Sequence, residues 1–462
     1  MTLRGALASA ALAVTCVAAQ DAARPEPEAD AAATIKGGDV YLAKSVRVVG
    51  DRIAAIVGRA PTTGLVAVRA DEGTRAAVVL ARARQLLSSA NAAARGRAWR
   101  DLGLGSGTEP QDLVDAIERD APGMAFDAAR TRLLVDPQRM LPTAGHGNPD
   151  EDADATILLT TGVAPDEPVA GHYVAHALLD GPRLEVPLTT DALLAWKAWS
   201  EGSANLAALV LLFGGVGLES EVVSGTLHPE DALGGRLVPE AMRGSSPVVG
   251  SLLEFVYLDG FAQAASLTRK GGFNRLAQER KSRRTTRDVL HLDRTPTPAV
   301  EILEPSLPIS LALSPADRDS LGEQGIVTLV SLLTGKDNLG LIAGDGWAAD
   351  ALWRFEPIPG STTGTGEGAT IWVTQWRTDD DAGDFAYAWE RCLQARFPGE
   401  TLEDDRERGG RALRRVDRTY RIERTGLQVV LRVIPAELDA KIGSTAKKKR
   451  PPLPPPAAKR LK

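Results

Sequence analysis

The chain has 462 residues, 44% apolar and 25% charged, with a formal net charge of −6 at pH 7. This is globular composition with material for two or three domains, and it excludes a collagen-like or wholly disordered chain. Aromatic residues are only 5%, so small side chains between closely packed helices are expected to fill much of the core.

The opening "MTLRGALASAALAVTCVAAQ" has Arg4, an apolar run from Ala6 to Ala19, and the small residues Val17 and Ala19 ahead of Gln20. That order predicts an export signal over residues 1–19, followed by a disordered acidic and proline-rich linker over 20–33. The expected location is periplasmic or extracellular. A lipid on Cys16 is the weaker reading, because Thr15 and Ala13 depart from a lipoprotein signal. Removal of Cys16 with the leader would make Cys392 the sole thiol and leave no disulfide framework. No later run approaches eighteen unbroken apolar residues, so no transmembrane span is expected.

The body, 34–338, reads as mainly helical. Residues 51–102 carry apolar helical spacing, and a second helix starts at the Thr108 and Glu109 cluster. "MAFDAARTRLLVDP" suggests a hairpin, and "GHGNPDEDADAT" an acidic loop without the glycine and spacing of a calcium site. Thr189 or Thr190 caps a helix running to about Phe213. Further helices are expected over 251–270 and 274–281.

Residues 339–438 change character. "DALWRFEP" and "ATIWVTQW" read as strands, "TDDDAGDFAYAWERCLQARF" as a helix with an acidic first turn, and "RTYRIERTGLQVVLRVI" as a hairpin turning at Thr425 and Gly426. The fold class expected is therefore α+β, a helical body closed by a small ββαββ unit. Residues 439–462 form a disordered basic, proline-rich tail. Its last stretch, 446–462, holds seven Lys or Arg and no acid, so the −6 of the whole chain becomes −13 for the remainder. The plainer reading is a merely solvated tail, and the functional one is contact with an anionic surface. Nucleic acid is not expected as a partner, because the nuclear reading of such a tail conflicts with an export signal.

Chemistry concentrates in "GHYVAHALLDG", residues 171–181. On a helix, His172 and His176 project from one face about one turn apart and can meet one ion. Zinc then wants a ligand from another element. Glu201, in "AWSEGSA", is the candidate, with Gly202 and Ala204 allowing two helices to approach and Asn205 on the same face to hold a ligand histidine from behind. Against this stand a plain Glu201 pair with Lys197 one turn earlier, and two histidines that only pack.

The pattern resembles the zincin metallopeptidases, and more closely a group of exported bacterial proteins with a gluzincin-like core. Their order of blocks, HELxHALQDQ, EGxA, PYxxG, GGW, STEQxLHP, LGE, GWGGDRY and WDxxxDAxxF, is similar to "HYVAHALLDG", "EGSA", "VYLDG", "GGF", "TTRDVLH", "LGE", "GWAADAL" and "WRTDDDAGDF" here, across roughly residues 50–390. The resemblance implies His172, His176 and Glu201 as metal ligands and places Asp180 on the aspartate of QDQ. It puts Tyr173 where active members carry the glutamate that takes a proton from zinc-bound water. Ala351 and Leu352 replace an arginine and a tyrosine, and Arg377 replaces an acid.

A phenol of pKa about 10 is a poor base at neutral pH, and without a base a zinc hydrolase forgoes roughly a hundred- to ten-thousand-fold in rate. Glu167, ahead of the helix by a proline, does not substitute readily. His291 could line the pocket or merely cap a helix. The leading expectation is an exported zincin-fold homologue without peptidase activity, serving as a binding or structural module for a protein or peptide ligand, with or without zinc. An active metallohydrolase using another base and a metal-free structural protein are the alternatives.

Overall fold

A computed structural model describes residues 40–58, 66–70, 83–84, 86–120, 156–160, 167–179, 189–212, 245–282, 284–296, 298, 300–305, 307, 311–360, 367–405 and 410–439. The export signal, the linker, the hairpin over 124–137, most of the acidic loop, Asp180 and the basic tail after Asp439 lie outside these residues; Asp439 itself, expected in the disordered tail, is buried and paired with Arg421. All described residues belong to one compact unit.

The chain is α+β. In the helical body, α1 (Val40–Val57), α2 (Ser89–Leu102), α3 (Glu109–Asp120), α4 (Glu167–Leu179) and α5 (Thr190–Leu212) precede α6 (Pro247–Glu254). A π-helical turn, Phe255–Asp259, then leads into α7 (Gly260–Ser282), and α8 (Thr286–Leu290) follows. The expected split between residues 270 and 274 is present inside α7, where Gly272 takes φ 65° and interrupts the helix. The run Pro247–Glu279 is long and apolar enough to cross a membrane, but more than half of its most apolar eighteen-residue window is buried in the body.

Helix α5 is the axis of this body. Thr189 Oγ1 accepts a hydrogen bond from the Ala192 N–H at its start, and almost every residue from Thr190 to Leu211 is buried. An apolar sequence without a polar face can be stable only when surrounded. Helix α4 packs along one side, with Gly171 beside Leu211 and His176 beside Ser200, so the two run antiparallel. On another side Gly202 meets the Gly260 backbone. Helix α1 closes the far end, where Arg52 donates to the Leu211 carbonyl.

Two segments differ from expectation. Val66–Ala70, inside the stretch read as helical, is β1, and it pairs in parallel with β2 (Thr156–Thr160). The C-terminal unit also starts earlier and is larger than ββαββ. Its antiparallel sheet has seven strands: β3 (Leu313–Asp319), β4 (Trp347–Pro357), β5 (Ala369–Trp376), β6 (Glu403–Asp404), β7 (Arg411–Arg414), β8 (Arg418–Thr425) and β9 (Gln428–Pro435). They lie in the order β3-β4-β5-β9-β8-β7-β6. Helices α9 (Gly322–Thr334), α10 (Asp337–Gly344) and α11 (Asp379–Arg396) complete it. Thr378 and Asp381 form a reciprocal cap at the acidic start of α11. Gly426 takes φ 56° at the β8–β9 turn.

Buried carboxylates join sheet and body. Asp319 accepts from the Thr190 N–H and hydroxyl at the start of α5, and Asp191 accepts from the Thr286 N–H and hydroxyl. Asp350, on β4, takes the N–H groups of Leu321 and Gly322 and the indoles of Trp347 and Trp372. Gly322, at φ 68°, lies so close to Asp191 that a Cβ would sit 1.8 Å from Oδ1. The first turn of α5 is thereby fixed to the sheet, and Glu201 is carried ten residues further, roughly 15 Å along the axis.

Candidate metal centre

Helix α4 begins at Glu167, one residue ahead of Pro168, so Glu167 opens the helix rather than standing before it. Proline is tolerated there because first-turn N–H groups have no intrahelical partner. One turn separates His172 from His176, and the antiparallel packing faces both toward Glu201. The donor atoms converge: His176 Nε2 lies 3.1 Å from His172 Nε2, and Glu201 Oε2 lies 3.5 Å from each. All three side chains are buried. This group can hold a metal ion.

The second carboxylate oxygen faces elsewhere. Glu201 Oε1 is 3.8 Å from Lys197 Nζ, so the i,i+4 pair expected as an alternative coexists with the histidine contacts, in the interior rather than on the surface. The Lys197 ammonium also lies 4.8 Å from the Trp196 ring centre. Burial raises the Glu201 pKa, but His176, Lys197 and His172 outweigh it and bring it down to about 2. The carboxylate is therefore anionic at neutral pH, as a metal ligand must be.

Small residues do not act as the sequence suggested. Gly202 makes its close approach to Gly260, across the interface with the π turn and α7, and not to α4. Along a helix, Gly202 points about 100° away from Glu201. It fixes the rear of α5 while Glu201 faces forward.

The hydrogen-bond partner of His176 Nδ1 is Ser200 Oγ, at 3.0 Å, rather than Asn205. Asn205 Oδ1 is buried and makes no hydrogen bond among the described residues. Ser200 was missed because nothing in "WSEGSA" distinguishes one serine from another. Only the placement of His176 between residues 200 and 201 selects it.

The Tyr173 ring lies edge-on to His172, with centroids 5.4 Å apart, and packs partly buried against the main core. His291 is at the C-terminal cap of α8 and bonds Glu323 Oε1 through Nε2 at 2.7 Å, so a capping and packing role is satisfied there. Ala351 and Leu352 are buried on β4, Ala351 in a small cluster with Trp353 and Phe355. Arg377 follows β5, and its N–H bonds the Gly346 carbonyl.

A family model described as a domain of unknown function, DUF8575, matches residues 311–441. The match spans the seven-stranded sheet with α9, α10 and α11, and it leaves His172, His176 and Glu201 outside. No curated protein and no solved structure matches the chain.

Proposed function

We propose that this chain is an exported, zincin-type zinc protein that has lost peptidase chemistry and serves as a binding or structural module. The observation that carries the zinc reading is the donor triangle. Four-coordinate zinc with bonds near 2.0–2.1 Å separates its ligand atoms by about 3.3–3.4 Å. The edges here are 3.1, 3.5 and 3.5 Å. Two imidazoles and one carboxylate are also a donor set zinc accepts. When bound, the ion would supply a Lewis-acid centre held by His172, His176 and Glu201.

Loss of peptidase chemistry is supported by Tyr173, which follows the first ligand where the resemblance implies a glutamate. The two rings form an edge-type pair with centroids 5.4 Å apart, and a phenol with pKa about 10 does not accept a proton readily at neutral pH. The export reading adds cleavage before Gln20, which N-terminal sequencing of the secreted chain checks.

The test is elemental analysis of the purified chain beside His172→Ala, followed by incubation of the zinc-loaded chain with mixed peptides. One zinc per chain, lost in His172→Ala, with no metal-dependent cleavage, is the expected result. Cleavage that persists in Tyr173→Phe would identify an active hydrolase with another base. A wild-type chain that takes up no zinc would leave the histidines as core residues.

A further inference from the structure

We propose that Lys197 is a positioning residue for the candidate metal centre: it holds one oxygen of Glu201 back, so that Glu201 reaches a bound zinc through Oε2 alone. The inference rests on the zinc reading above. Glu201 Oε2 lies 3.5 Å from His172 Nε2 and 3.5 Å from His176 Nε2, while Oε1 lies 3.8 Å from Lys197 Nζ. The two oxygens of one carboxylate thus face two different partners. All four side chains are buried, so solvent screens neither contact.

Lys197 and Glu201 share a face of α5 because they are one turn apart. On a helix surface such a pair contributes little. Lys197, however, is fully buried, and an ammonium is costly to bury without a partner charge. Glu201 supplies that charge through the oxygen turned away from the histidines, and the Trp196 ring, 4.8 Å from Nζ, adds a second attraction. Rotating the carboxylate to point both oxygens at the histidines would take Oε1 from the ammonium and leave that charge in the core.

Two histidines and one carboxylate oxygen are three protein donors, the arrangement in which zinc keeps a fourth position for a ligand from outside the protein. A carboxylate that gave both oxygens would fill that position itself. Lys197 therefore keeps the centre open to a small donor, even though Tyr173 stands where hydrolysis needs a base.

The test uses the full chain, loaded with zinc for crystallography and with cobalt(II) for visible absorption. In the wild type, Oε2 should lie at bonding distance from zinc, about 2.0–2.2 Å, with Oε1 beyond bonding distance and still against Lys197. Lys197→Met keeps the length of the side chain and removes the charge. It should let Oε1 swing onto the ion and so shift the cobalt bands, while Lys197→Arg keeps the wild-type bands. Asn205→Ala, one turn beyond Glu201 on the same face, should leave them unchanged.

Both oxygens on zinc in the wild type, or Oε1 as the ligand, overturns the proposal, and that observation needs no variant to fold. Cobalt bands in Lys197→Met identical to wild type, or a shift of the same size in Asn205→Ala, which would mark a general loosening of α5, removes Lys197 from the role. A wild-type chain that takes up neither zinc nor cobalt overturns the zinc reading and this proposal together, whereas uptake through the wrong oxygen overturns only the role of Lys197.

Discussion

Gly202→Ala adds one methyl to the centre of α5 and tests whether the close contact with Gly260 sets the helix position. The new carbon would lie 2.2 Å from the Gly260 carbonyl oxygen and 2.8 Å from the Phe261 nitrogen, both backbone atoms that cannot rotate aside. Apolar contacts are most favourable from about 3.5 Å, so the helices must part by about 1.3 Å, and a gap of about 1 Å already forfeits close to half of the dispersion attraction across it. Overpacking at the upper end of its ordinary range costs about 3 kcal/mol. Alanine returns about 1 kcal/mol of helix propensity. The net expectation is about 2 kcal/mol of lost stability in urea unfolding, with weaker zinc binding because Glu201 moves with α5. Gly260→Ala makes the reciprocal clash, 2.3 Å from the Ala198 carbonyl oxygen. Both substitutions open the same gap, so the double variant should lose less than the sum by about 1 kcal/mol or more. A Gly202→Ala chain within about 0.5 kcal/mol of wild type, the ordinary scatter of a surface change, would refute the argument that this contact fixes α5.

Asp191 is pushed up to about 8, by burial first and then by Asp350 and Asp288, against the Thr286 hydrogen bonds. Its folded-state value lies above the unfolded one, so its contribution is fully present below pH 3.8 and declines as pH rises through 8, by up to about 1.4 kcal/mol per unit. Asp191→Asn keeps an oxygen for Thr286 and should flatten the fall in urea stability between pH 5 and 8; an unchanged slope would assign that fall to other groups. Cys392 is buried and its thiol is raised to about 12 by burial. It should stay inert toward a disulfide reagent in the folded chain and react only on denaturation, and rapid labelling under native conditions would contradict that placement.

What was legible in the sequence was what local periodicity encodes. His172 and His176 share a face because four residues are close to one helical turn, and the acidic cap of α11 and the β8–β9 turn follow from side chains a few positions apart. Long-range pairing was not legible. β1, "VAVRA", joins β2 in a parallel ladder in which Val66 meets Thr156, and no local pattern announces that partner. β3, "LSPADRD", carries a proline and three charges and falls inside the body expected to be mainly helical. It is a strand because it lies at the sheet edge with Pro315 beside a register shift, where a missing N–H is tolerated. Gly202 was legible as a point of close approach, but its partner was not, since a small residue says nothing about which neighbour uses the space.

The same limit explains why the donor triangle cannot be understood from α4 and α5 alone. The histidine spacing makes a shared ion geometrically available, but the third edge depends on where α5 lies against α4. That position is set behind the helix by Gly202 and Gly260, and at its start by carboxylates. Asp319 lies in the segment matched by the family model and Asp191 in the body, and Gly322 leaves Asp191 the space it occupies. Asp350 in turn holds the Gly322 N–H. The matched domain thus contains none of the three candidate ligands, yet it fixes the rod that delivers one of them. A change at the sheet junction should therefore register at the triangle, because a helix anchored at its first turn carries a displacement along its length. Tyr173 lies on the other helix, so its substitution changes what faces the site without moving Glu201.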